Sequence, residues 1–240
     1  MASNFIRPGI TLTCTAPTGG VTSGVPVIIG GIPVVPLASA LAGATFEGDT
    51  YGVWSLVKNS GETWVEGQTI YFDVANTRMS NDPSVGLPIG AAHFPAAASA
   101  DVLGAVRLNG TSLGGRMLEL RKRLSIAQVN GGATLVPAIP GMKLRMIEVS
   151  AIAIGGAVAA VTTVDVLGTL AAASRKLAAF AQASLTQSTR LTAGGAGGAI
   201  LADGASFTPN DVNTAITVGI TGSAITTATF IDFDIKYAYE

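Results

Sequence analysis

Few residues in this chain could do chemistry. There is one histidine, His93, in Gly90-Ala-Ala-His-Phe-Pro95, and one cysteine, Cys14, in Thr11-Leu-Thr-Cys-Thr15. A histidine can act as a general base only with a partner that orients it, and no partner motif accompanies His93. A cysteine nucleophile needs exposure and a lowered pKa, whereas Cys14 falls on the apolar side of an alternating pattern and reads as structural. With one of each, disulfide frameworks, cysteine-based zinc clusters and histidine-rich metal sites are excluded. Two carboxylate pairs remain, Glu62 with Glu66 around Trp64, and Asp232 with Asp234. Paired carboxylates serve glycoside hydrolysis or hold Ca²⁺, but two acids two positions apart on a strand usually mark its solvated face. The glycine-rich Gly194-Gly-Ala-Gly-Gly198 lacks the Lys-Ser/Thr of a phosphate loop. Asn109-Gly110-Thr111 fits a glycosylation sequon, yet without a visible secretory signal it marks only an Asn-Gly turn. No enzyme reading survives, and no cofactor or metal is expected.

The elements that would position such groups are strands. Ile70, Phe72 and Val74 share one face, and Ile231, Phe233, Ile235, Tyr237 and Tyr239 share another, with Asp232, Asp234 and Lys236 opposite. Alternation of this kind is the period of a half-buried strand. Turn signals recur about every ten residues, as at Gly30-Gly31, Asn59-Ser-Gly61, Asn130-Gly-Gly132 and Pro140-Gly141, a rhythm typical of sandwiches and barrels. Residues 171–184 have both helical and strand character and are read as strand from their surroundings. The expected fold is therefore all-β. A small barrel-like N-terminal domain spans residues 1–112, a linker 113–123, and an antiparallel, jelly-roll-like β-sandwich 124–240.

Composition narrows the partners. The 240 residues include 14 Lys and Arg against 15 Asp and Glu, for a net charge of −1 and only 12% charged residues. A protein that neutralises phosphates needs a basic surplus, so nucleic acid is not an expected partner. Mean hydropathy is +0.50. The uncharged run Val149–Val164 is nevertheless short of the ~20 residues of a spanning helix, and no membrane is expected. The charge balance is uneven: residues 1–120 hold 5 basic and 8 acidic groups, and residues 121–240 hold 9 and 7. The densest charge run contains Arg116, Arg121, Lys122 and Arg123. It lacks interleaved aromatics and reads as a linker or trimer-axis contact rather than a nucleic-acid site. Low charge with high apolar content suits a surface covered by other protein.

The first ~110 residues resemble the capsid decoration, or cement, proteins encoded among phage head genes. The likeness rests on Asn4-Phe5, Pro8-Gly9, Leu12-Thr13, Thr15-Ala16-Pro17, Gly20-Val-Thr-Ser-Gly24 and Val27-Ile-Ile-Gly30. It continues through Thr50-Tyr-Gly-Val-Trp54, Leu56-Val-Lys58, Trp64, Gly67-Gln68, Ile70-Tyr-Phe-Asp73, Ile89-Gly-Ala-Ala92 and Val106-Arg-Leu-Asn-Gly110. The second half is similar, more weakly, to fibre and decoration modules of phage heads. The resemblance implies a non-enzymatic homotrimer that binds the major capsid protein on the outside of an assembled head. There, at three-fold and quasi-three-fold positions, it cements neighbouring subunits, after passing through the host cytoplasm during assembly. Asn4, Phe5, Ile6, Arg7 and Pro8 are the expected capsid contacts. Phe5 and Ile6 offer apolar anchors, Arg7 a charge, and Pro8-Gly9 a stop to any helix. Such an arm either lies along a capsid strand or packs as an edge strand on its own domain. The competing function is a head-surface adhesin whose second domain grips glycans.

Overall fold

The computed structural model describes residues 6, 8–94, 97–110, 116–192, 198–199 and 208–240. The chain forms two compact units, residues 1–113 and 114–240.

The described residues of the first unit form nine strands in two antiparallel sheets. One sheet holds β1 (Thr11–Thr15), β2 (Val27–Ile29), β3 (Ile32–Pro36) and β4 (Thr45–Asp49), in the order β1-β4-β3-β2. The β2–β3 turn is Gly30-Gly31, with φ of 54° and 85°, values that L side chains rarely adopt and a two-residue hairpin demands. Val34, Phe46 and Ala16 are buried beneath this sheet, and the half-buried Cys14 packs against them.

The other sheet holds β5 (Tyr51–Val57), β6 (Thr69–Asp73), β7 (Arg78–Ser80), β8 (Gly86–Ala92) and β9 (Leu103–Asn109), in the order β5-β9-β8-β6-β7. Only Thr50 separates β4 from β5. Its buried hydroxyl donates to the Ile10 carbonyl at 2.9 Å, which ties the two sheets' strands at that corner. The two edges of this sheet meet at one place, a bridge between Lys58 and Met79. The sheet curls toward a barrel without closing into one, which corrects the barrel-like expectation in degree.

The second unit alternates between two sheets. Its elements are β10 (Met117–Ser125), α1 (Ile126–Asn130), β11 (Thr134–Val136), β12 (Leu144–Ile154), β13 (Ala159–Leu170), β14 (Ala173–Ala181), β15 (Leu191–Thr192), β16 (Gly198–Ala199), β17 (Ile216–Thr226) and β18 (Phe230–Tyr239). One sheet runs β10-β18-β12-β15 and the other β11-β17-β13-β14-β16. With the two-residue β16 set aside, eight strands remain. Their first, eighth, third and sixth form one sheet, and their second, seventh, fourth and fifth the other. This order is the jelly roll. The sheets bury a shared core, in which Phe180 of β14 meets Phe233 of β18 at 6.4 Å between ring centroids. Ile231, Ile235, Val164, Val166 and Val218 complete it, all essentially inaccessible.

Residues 173–181 are strand, as expected from the surroundings rather than from local pattern. The segment expected as a linker is different. From Met117 onward it is β10, paired over nine residues with β18. Leu118, Leu120 and Leu124 alternate with the charges, and Leu120 and Leu124 are buried. Their burial makes the run a strand of the jelly roll.

Candidate functional site

Among the described residues, no group of three or more His, Cys, Asp or Glu side chains could hold a metal ion. Among the same residues, no helix is long and apolar enough to cross a membrane. His93 is exposed, and its backbone N–H donates to the Ala105 carbonyl at 2.8 Å, so this loop position continues the β8–β9 pairing.

Three of the four paired carboxylates, Glu62, Asp232 and Asp234, hold structural contacts. Glu62 accepts hydrogen bonds from Trp64 Nε1 at 3.0 Å, the Asn81 backbone at 2.9 Å, Asn59 Nδ2 at 3.3 Å and the Ser80 hydroxyl. Partial burial pushes its carboxyl pKa up, but these four donors outweigh that and hold it below its ordinary value. The buried Lys58 ammonium donates to the Glu62 carbonyl at 2.6 Å and lies 5.8 Å from the Trp64 ring centroid. Glu66 stays exposed and takes no part. The network pins loop 58–68 beneath β5 and β9. Only Trp64 between two acids hinted at it in the sequence.

Asp232 and Asp234 stand on the outward face of β18, each opposite an arginine of β10. Arg123 grips Asp232 with two parallel bonds, at 2.6 and 2.8 Å. That hydrogen bonding, against a smaller opposing effect of burial, holds the Asp232 carboxyl below its ordinary value. Arg121 binds Asp234 at 2.8 Å, and Arg190 binds the same carboxylate. Lys236 pairs with Glu148 at 2.8 Å. This face is a ladder of mutually satisfied charges.

The four basic residues of the charge run therefore do not form one patch. Arg121 and Arg123 face outward, whereas Lys122 shares the inner side with Leu120 and Leu124 and is half-buried; Arg116 is exposed just before β10. Of the N-terminal arm, Asn4, Phe5 and Arg7 lie outside the described residues, as does the Gly194–Gly197 stretch. Ile6 is 92% exposed and Pro8 is exposed; neither belongs to a strand.

Exposed large apolar side chains concentrate in the first unit. They include Ile6, Ile10, Leu41, Val65, Phe94 and Val102, whereas the second unit shows only Met117, Ile147, Leu170 and Val212 among its described residues. Four more form a strip. Tyr51, Val53, Ser55 and Val57 alternate along β5, opposite Asn109, Arg107, Ala105 and Leu103 of β9. Tyr51, Val53, Val57 and Leu103 are each 46–50% exposed. The Tyr51 ring lies over Gly110, where a Cβ would come within 2.2 Å of it, so the strip's upper end is fixed in place. Sequence pattern missed this face because its residues are β-formers that read as core.

No curated protein and no solved structure gave a match to the chain. The family model described as phage cement protein matches residues 6–108. The matched stretch runs from the exposed Ile6 through the last but one residue of β9 and so contains both sheets of the first unit. Residues 6–108, nearly the whole of the first unit, thus match the phage cement protein family.

Proposed function

We propose that this protein binds the outer surface of an assembled phage head as a homotrimer at three-fold and quasi-three-fold positions. There it clamps adjacent major capsid subunits against the pressure of packaged DNA. The family match over residues 6–108 carries this reading. The crowding of exposed apolar residues into the matched unit supports it, because such side chains mark protein contacts. The near-zero net charge of −1 allows many copies to crowd one shell without mutual repulsion. Asn4, Phe5, Ile6, Arg7 and Pro8 act as an arm that orders on the capsid, and the second unit, from about residue 114, is the displayed module. Of the basic residues Arg116, Arg121, Lys122 and Arg123, the exposed Arg116 serves as a contact between copies in the trimer.

The glycan-gripping alternative finds no stacking platform among the described residues. Phe180, Phe233, Tyr237 and Tyr239 are buried, and Phe230 lies 5.7 Å beneath the Arg123 guanidinium. A groove of about 200 Å³ lies between Glu119, Glu148, Arg190 and Asp234, but its charges are largely satisfied by each other.

Heads assembled with and without the protein test the proposal. A reconstruction should place it outside the shell at three-fold sites, and decorated heads should rupture at a higher temperature. Equal rupture temperatures would replace clamping by display. Absence of the protein from purified heads would end the reading. Deleting residues 1–8 should weaken head binding; unchanged binding would remove the arm from the contact.

A further inference from the structure

The β5–β9 strip combines three properties that a solvated sheet face does not need together. It is apolar and half-exposed at Tyr51, Val53, Val57 and Leu103. It borders an open sheet edge: β5 is the terminal strand of its sheet, and its seven residues include no charge and no proline. Proteins ordinarily protect such an edge with Lys, Pro or a bulge, because unpaired N–H and C=O groups recruit another strand. β7 approaches it at the Val57 end, where Lys58 bridges Met79.

The third property is Arg107. It stands at the middle of the strip, exposed, directly opposite Val53 on one side and Ala91 on the other. Its neighbours along β9 on the same face are Ala105 and Asn109. None of these four is charged, and Arg107 forms no ion pair with any described residue. By contrast, Arg121 and Arg123 of β10 each have a carboxylate opposite them on β18. A guanidinium set among uncharged, mostly apolar side chains is the arrangement of an interface anchor, since excluding water around it strengthens its bond to an incoming carboxylate.

The geometry points to the β5–β9 face as a docking site for an extended protein segment that carries a carboxylate. The segment pairs along the free edge of β5, sets apolar side chains over Val53, Val57 and Leu103, and places its acid on Arg107. Following the cement reading, on which this inference rests, the segment belongs to a capsid subunit. A second first unit does not supply it by strand pairing. Its own edge strands β1, β2, β5 and β7 contain no acidic residue. The strip's length fits one strand: six residue steps from Tyr51 to Val57 span about 20 Å.

The test uses the full-length chain and heads that lack it. Val53→Asp, Arg107→Glu and Arg107→Lys are compared with wild type by co-sedimentation, with the oligomeric state and melting temperature of each free protein measured alongside. Val53→Asp and Arg107→Glu should weaken head binding at least tenfold and Arg107→Lys by less, with oligomeric state and melting unchanged. Should Val53→Asp melt early, the Arg107 pair decides, because that side chain is exposed and supports no described contact. Wild-type binding matched within twofold by Val53→Asp and Arg107→Glu would overturn the surface and leave the cement reading intact. A changed oligomeric state in either variant would make the occupant a second copy and overturn the capsid assignment. Failure of the wild type itself to bind heads would overturn the cement reading and the occupant with it.

Discussion

Gly104, on β9 opposite Leu56, leaves no room for a side chain. A Cβ there would sit 2.1 Å from Cζ3 and 2.7 Å from Cε3 of Trp64, a ring that is 1% exposed. Gly104→Ala therefore forces the ring to move. The ring cannot turn freely, because its Nε1 is held at 3.0 Å by Glu62, which also ties Ser80, Asn81 and Asn59. Overpacking a tight core costs about 1–3 kcal/mol. Surrendering a hydrogen bond to a charged group adds roughly 1.5–3 kcal/mol. Some of each is recovered by relaxation, so a loss of about 3 kcal/mol is expected. For a unit near one hundred residues, each kcal/mol moves the melting temperature by roughly 4–8 °C, which gives a drop on the order of 10–20 °C. Both tryptophans, Trp54 and Trp64, belong to this unit, so tryptophan fluorescence follows its melting alone. In a double-mutant cycle, Trp64→Leu should absorb much of the damage, with a coupling above about 1 kcal/mol. Trp54 remains as the reporter in that background. A Gly104→Ala melt within about 2 °C of wild type, or strict additivity with Trp64→Leu, would refute this account of how Trp64 is seated.

Three further outcomes are expected. Because the Glu62 carboxyl is held below its usual value of 4.5, its contribution is complete above that value and is lost as the pH falls through the lower folded value. Fluorescence melts should show the first unit weakening in that acid range, and Glu62→Gln should flatten the slope. The β13–β14 hairpin turns on Ala171 and Ala172 at φ of 53° and 60°, where Asp211 accepts both backbone N–H groups. Asn-Gly in their place should stabilise the second unit by about 1 kcal/mol, measured by calorimetry, since that pair favours such a turn. Phe180→Ala should cost the second unit about 3–5 kcal/mol by removing the ring that meets Phe233 between the sheets, and an unchanged calorimetric transition would contradict that packing.

Much of the strand content was legible because the burial of one face writes a period of two into the sequence. Ile231 to Tyr239 follow it without interruption, and all five odd residues are buried. The jelly-roll order itself was not legible from residues: β10 finds β18 more than a hundred residues away, and no local pattern records such a pairing. The charge run misled for a related reason. Charge density reads as linker, yet Leu118, Leu120 and Leu124 keep the strand period beneath it. The contact strip stayed hidden because Tyr51, Val53 and Val57 look the same whether they face a core or a partner. Which face they occupy is set by their register with β9. The family likeness of the first ~110 residues, by contrast, lay in the order of short motifs, and the matched range agrees with it.

The placement of β17 and β18 bears on how the protein is made. These two strands are the last of the second unit to be synthesised, and each is internal to its sheet, β17 between β11 and β13, β18 between β10 and β12. Neither sheet can be completed while they are still being translated. The first unit has its whole sequence by residue 113 and can fold while the rest follows, at roughly 5–20 residues per second an interval on the order of ten seconds. During that interval β10 to β16 wait as unpaired or half-paired strands, open to chaperones and to one another. A ribosome that stalls before residue 216 would release a native first unit trailing strands without their centre, so completion of the second unit rests on β17 and β18.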